Sequence, residues 1–205
     1  MLGLADTDRA RVEAAVKRAE QKTSAQFALV VAHAADDYSL YPILWSALSA
    51  LAIGEIVGLA EPQIGTEWLA GLEAALFVVI DLVLHVRPIR HWTVPPRVKR
   101  VHAHRLARLE FAALVQGRTP DAVGILLFVS EAERHVEILT DRAIAAKIPE
   151  TAWQGVIADF VAAVRADRVA DAFIGAVEGA TALLAAQFPP RPGATNTISN
   201  RVTEV

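Results

Sequence analysis

Residues 41–86 limit most what this chain can become. Tyr41–Ala60 reads YPILWSALSALAIGEIVGLA and carries one acid. Glu61-Pro-Gln-Ile-Gly65 interrupts it, and Thr66–Val86 follows as TEWLAGLEAALFVVIDLVLHV. Each segment is long enough to cross a hydrocarbon core of ~30 Å at about 1.5 Å per helical residue. Trp45 and Trp68, with Tyr38 and Tyr41, fall near segment ends, where interfacial aromatics belong. The expectation is a two-helix transmembrane hairpin over residues 41–86. Its rival is a helical hairpin inside a soluble core.

The acids decide how close that contest is. In the second segment, apolar residues favour insertion by roughly 0.3 to 0.6 kcal/mol each. Glu73 and Asp81 oppose it by roughly 2.5 to 3.5 kcal/mol each at mid-membrane. Isolated insertion is therefore close to neutral, and pairing of the two helices tips it. With the bend at Gln63–Ile64, Glu55 lies level with Glu73, and the two are expected to share a carboxyl hydrogen bond. Asp81 lies level with Ala47, near Ser46 and Ser49, and one turn from His85 on the same face. Glu55, Glu73, Asp81 and His85 are thus the candidate intramembrane polar residues, as glue between helices or as an ion path. Ala50, Gly54 and Gly58 recur every four positions, as do Gly71 and Ala75, which permits close helix approach or a homo-oligomer.

Charge sets the expected orientation. The turn Glu61–Glu67 has no Lys or Arg, whereas Arg87–Arg108 contains seven and no acid. The bias of basic residues places both termini in the cytoplasm, at a bacterial inner membrane. Arg87, Arg90, Arg97, Lys99 and Arg100 are candidates for contact with anionic lipid, at roughly 1 kcal/mol per charge. Nucleic acid is the less favoured partner, because the net formal charge of the whole chain is −3. The absence of cysteine excludes disulfides and thiol chemistry.

Outside the hairpin the pattern is α/β. Asp6 or Thr7 can cap a first helix with Val12, Ala15, Val16 and Ala19 on one face. Gln26–Ala32 is a buried strand. Gly124–Ser130 is a nearly unbroken apolar run, Glu131–Arg134 a charged turn, and His135–Thr140 an alternating strand. This strand pair is expected at the centre of the sheet. Arg97–Gln116 reads as a helix, and two more follow, bearing Trp153, Phe160 and Val164, then Phe173, Val177 and Leu184. The domain reading is a discontinuous α/β domain over residues 1–40 and 97–189, the hairpin 41–86, an extended basic, proline-containing linker 87–96, and a disordered tail 190–205.

These residues carry a family pattern. Thr23–Val31 (TSAQFALVV), the Ala107-x-x-x-Phe111 helix, Gly124–Pro149 (GILLFVSEAERHVEILTDRAIAAKIP), Trp153-Gln154 and Leu184–Pro189 (LAAQFP) together resemble the TPM domain family, in a membrane-anchored bacterial branch with an inserted hairpin. The resemblance implies an α/β/α sandwich with a small mixed sheet. A phosphatase role has been attributed to plant members, and most members have no assigned reaction. Two departures bear on any acidic site taken over by analogy. Gln26 stands where members commonly have Glu, and Arg142-Ala143 follows Asp141 where many have glycine.

Phosphoryl chemistry needs clustered carboxylates with a metal such as Ca²⁺ or Mg²⁺, or a nucleophile with a phosphate cradle. The acidic candidates are Asp36, Asp37, Glu131 and Asp141. If residues 97–116 make a parallel crossover, Asp36 and Asp37 share a sheet end with Glu131. Asp141 then lies at the other end beside Asp121, so the four do not form one site. His102 and His104 diverge by about 200° around their helix. Ser130 has no evident base. No cofactor is required by any motif. The leading expectation is a membrane-anchored accessory protein whose α/β domain binds a protein partner. The alternative is a metal-dependent phosphatase.

Overall fold

The computed structural model describes residues 5–116, 123–191 and 197–205. It divides into two compact units, Met1–Ala35 with Arg100–Val205, and Asp36–Lys99.

The first unit is built on a four-stranded mixed sheet of order β3-β2-β1-β4. Strand β1 is Ala25–Ala32, β2 Val123–Ser130, β3 His135–Thr140 and β4 Val202–Glu204. Strands β1 and β2 run parallel, from Ala25 opposite Val123 to Ala32 opposite Ser130. Both are buried along their whole length, as expected of parallel strands covered on two faces. Strand β3 returns antiparallel to β2, and β4 lies parallel to β1. The central pair is therefore β1–β2. The expected central position of the whole β2–β3 hairpin needs correction: β3 is an edge strand.

Alternation along the strands makes two cores. Phe27, Leu29 and Val31 of β1, with Ile125, Leu127 and Val129 of β2, pack against helices α1, α7 and α8. Helix α1 is Asp6–Glu20, α7 Trp153–Arg165 and α8 Val169–Ala185. Its apolar stripe Val12, Ala15, Val16 and Ala19 buries α1. Phe160 of α7 meets Phe173 of α8 edge to face, with centroids 5.1 Å apart. On the other face, Ala28, Val30, Leu126 and Phe128 pack against Ala103, Ala107 and Phe111 of α5, Pro96–Phe111. The layers are thus helix, sheet, helix. A π-helical turn, Ala112–Gln116, ends the region read from sequence as one helix. Helix α1 takes Ala5 as its cap residue, without a side-chain cap from Asp6 or Thr7.

The tail was expected to be structureless, and its described part is not. Gln26, 8% exposed, accepts hydrogen bonds through Oε1 from Thr197 N (3.0 Å), Thr197 Oγ1 (3.0 Å) and Ile198 N (3.2 Å). Ile198 is buried under the α5 face, and Asn200 Nδ2 donates to Glu20 Oε2 at 3.0 Å. Strand β4 then covers the free edge of β1, and His33 and Val205 close the ladder through backbone bonds. A polar composition hid a strand whose affinity comes from an unpaired edge rather than from its own side chains.

In the second unit, α2 is Leu40–Ala60, α3 Thr66–Leu84 and α4 Arg87–Thr93. The last corrects the expected extended linker. A proline within the first turn of α4 begins that helix instead of preventing it. Buried residues of α2 are Pro42, Ser46, Ala50 and Gly54, a stripe at every fourth position that pairs α2 with α3 of the same chain. Gly71 and Ala75 are exposed instead. Trp45 Nε1 donates to Thr93 O at 3.1 Å, and Tyr38 stacks edge-on against His91.

Candidate functional site

Parallel β1 and β2 end side by side, and α/β folds place ligands at such carboxyl ends. Glu131 N donates to Ala32 O at 3.0 Å and Ala132 N to His33 O at 3.1 Å, which seats the turn Glu131–Arg134 on the end of β1. His33 Nδ1 lies 3.2 Å from Glu131 Oε2. The Ser130 hydroxyl donates to Glu133, whose Oε2 also accepts from Ala35 N at 3.1 Å. Glu133 is the acid that sequence reasoning missed. The Ser-x-x-Glu spacing across a tight turn was the available signal. Ser130 is only 1% exposed, so this contact fixes the turn and does not present a nucleophile.

Beside that turn is a cavity of about 420 Å³, a size that fits a small-molecule or side-chain site. Its walls are Val129, Val136, Phe160, Val161, Val164 and Val169. Charged residues Glu131, Arg134, Arg165 and Asp167 also line it. Arg134 and Asp167 have φ of 50° and 58°. Asp167 sits in a Schellman motif: its N–H bonds Val164 O, and Arg168 N–H bonds Ala163 O, each at 3.0 Å. Arg134 closes its turn with a bond from its N–H to Glu131 O at 3.1 Å. Left-handed backbone at two non-glycine residues is uncommon, and such positions cluster at functional sites.

Asp36, Asp37 and Asp141 each serve the backbone around them. Asp36 and Asp37 belong to the second unit, where Asp36 Oδ1 accepts from Asp37 N (2.7 Å) and Tyr38 N (3.3 Å), and Asp37 Oδ1 from Ser39 N (3.1 Å). Asp141 stands at the start of β2. Its Oδ2 accepts from Gly124 N at 2.8 Å and its Oδ1 from Ile144 N at 2.9 Å, capping the short helix α6, Arg142–Ala145. Asp121 lies outside the described residues. Among the described residues, no group of three His, Cys, Asp or Glu side chains converges to hold a metal ion.

A second polar cluster joins α5 to β3. Glu137 Oε1 is 2.7 Å from His104 Nδ1, and its Oε2 is 3.1 Å from His135 Nε2. Burial pushes the Glu137 carboxyl up, but the hydrogen bonds from His135 and His104 outweigh it, so its pKa is lowered. Burial raises that of Glu20, which the Asn200 bond only partly offsets.

In the hairpin unit, Ser46 Oγ donates to Asp81 Oδ1 at 3.2 Å, and His85 Nδ1 lies 3.1 Å from Asp81 Oδ2. The expected Glu55–Glu73 bond is not made. Glu55 is exposed, and Glu73 packs on Gly54, the position a Cβ would occupy. Adjacent helical positions differ by about 100°, so Gly54 at the interface turns Glu55 away from it. Of the basic candidates, Arg97 and Arg100 are exposed, Arg90 and Lys99 half-buried, and the Arg87 side chain lies outside the described residues.

Comparison with curated proteins gave no match. Among solved structures, the chain is similar to the NMR structure of BA42 protein from the psychrophilic bacterium Bizionia argentinensis sp. nov.. The TM-score is 0.61 at 12% identity, over 98% of this chain and 95% of that one, which is a likeness of fold. Residues 98–183 match the family model of the TPM domain. These residues supply β2, β3, α7 and most of α5 and α8, and over them the chain carries a TPM domain.

Proposed function

We propose that this protein is a membrane-anchored binding module: the hairpin holds it in the bacterial inner membrane, and its TPM domain engages a protein partner on the cytoplasmic side. The observation that carries the reading is α2. It is long and apolar enough to cross a membrane by length and composition, and little of it is buried. Leu44, Leu48, Leu51 and Ile56 turn outward from it, a surface suited to lipid. In α3, Val78, Val79, Leu82 and Val83 do the same. The absence of Lys and Arg from the turn, against their abundance after α3, supports cytoplasmic termini. The exposed basic residues of α5 suit anionic headgroups. Asp36, Asp37 and Asp141, acids on which a phosphatase would draw, serve as turn and cap acceptors.

Membrane fractionation tests the anchor. The protein should resist alkaline extraction, and a cysteine placed at Gly65 should react with an impermeant reagent from outside. Recovery in the soluble fraction without detergent overturns it. Crosslinking in intact membranes should yield a discrete complex with another protein. Saturable hydrolysis of a phosphomonoester with Mg²⁺ or Ca²⁺, above that of heat-treated protein, would overturn the non-enzymatic reading.

A further inference from the structure

The cavity beside the β2–β3 turn has a composition that specifies more than "a partner". Its walls are valines and Phe160, and two arginines, Arg134 and Arg165, line it as well. Both are exposed, and neither guanidinium has an ion-pair or hydrogen-bond partner among the described residues. Guanidinium groups bind carboxylates through paired, charge-assisted hydrogen bonds. Glu131 is already engaged by His33. Asp167 also lines the cavity, and it repels a second negative charge. The ligand chemistry is therefore one carboxylate attached to an apolar group.

The neighbouring backbone selects the source. Strand β3 contributes Val136 to the cavity and α7 contributes Val161, Val164 and Arg165. The cavity thus lies between an edge strand and a helix. Every second residue of an edge strand turns its N–H and C=O away from the sheet, and an added extended peptide satisfies them. A free fatty acid would use the apolar walls and leave that edge unpaired.

We infer that the groove between β3 and α7 captures the C-terminus of an extended peptide, its last apolar side chain in the cavity and its carboxylate on Arg134 and Arg165. This rests on the reading of the domain as a partner-binding module and names the part of the partner it holds.

The full chain in lipid nanodiscs is titrated with two fluorescein-labelled heptapeptide pools, each with six randomised positions followed by Leu. One pool ends in a free carboxylate and the other in an amide. The acid pool should bind saturably, and the amide pool at least tenfold more weakly. Arg134→Asn keeps a residue that tolerates the left-handed backbone and removes the charge. It and Arg165→Gln should each weaken the acid pool about tenfold without changing Tm. Equal binding of the two pools, or indifference to both variants, overturns the inference. So does dodecanoate that displaces the peptide and binds more tightly than it, which would give the cavity to a fatty acid. The broader reading fails separately. If the partner complex crosslinked in membranes persists in the double arginine variant, partner binding stands and the groove is not its site. If wild type forms no complex at all, the module reading falls, and the peptide pools alone judge the cavity.

Discussion

Asp167 shows how a single residue can be both a stop signal and a cost. A helix C-terminus with a left-handed residue after it is most often finished by glycine, which adopts that backbone freely. Asp167→Gly should therefore raise stability by about 0.5–1 kcal/mol in denaturant titration. A loss of stability would mean that the carboxylate makes a contact that outweighs the backbone term. Glu137 carries the opposite kind of information. Its lowered pKa means that the folded state favours the charged form, so the site adds stability above the unfolded carboxylate pKa, 4.5. That stability is lost as pH falls through the folded pKa. Glu137→Gln should flatten the decline of Tm below about pH 4.5. Glu20 has a raised pKa, and its contribution runs the other way: it is present below the unfolded pKa and lost as pH rises through the folded one. Gly54 is fixed by space, because any Cβ there meets the Glu73 side chain. Gly54→Leu should weaken α2–α3 pairing by about 1–3 kcal/mol, measured by crosslinking between α2 and α3 in detergent. Much of the loss should return with Glu73→Ala, since the far end of a long side chain is what stands in the way.

Among the elements, those with their own hydrophobic period were legible in the sequence. The stripes of α1, α7 and α8, the runs of β1 and β2, and the antiparallel return of β3 follow from spacing. The register of α2 against α3 was legible to within a residue, which sufficed for Ser46 and Asp81. It did not suffice for Glu55, because one residue changes the side of a helix. Strand β4 was invisible for another reason: what recruits it is the unpaired edge of β1 and the buried acceptor of Gln26, both distant in sequence. The cavity was invisible too, since its walls come from β2, β3, α7 and the α7–α8 turn. Deleting residues 197–205 should expose Ile198's pocket and the β1 edge together. We expect a loss of about 2–4 kcal/mol, part of it from removing the Thr197 and Ile198 donors to Gln26. Gln26→Ala should reproduce about 1–3 kcal/mol of that. An unchanged midpoint in the deletion variant would show that β4 adds no stability.

At the scale of the whole molecule, the described residues of both apolar clusters in the first unit come from that unit itself. Calorimetry of the detergent-solubilised chain should accordingly give two transitions. Phe160→Ala removes a fully enclosed ring and should lower only one of them, at a cost of about 3–5 kcal/mol. Gly54→Leu should lower only the other. One transition shifted equally by both variants would mean that the units melt as one. The order in which the strands emerge has a consequence for synthesis. Strand β1 appears first, its neighbour β2 only after the whole apolar hairpin has been made, and β4 only after α8. As the membrane anchor proposed above, the hairpin would be handed to the membrane machinery while β1 is still without either neighbour. The far side of β1 stays open until β4 has been made, so a chain that stops before β4 displays a bare strand edge. Such an edge is a mark by which quality-control proteases or chaperones can tell a truncated product from a finished one.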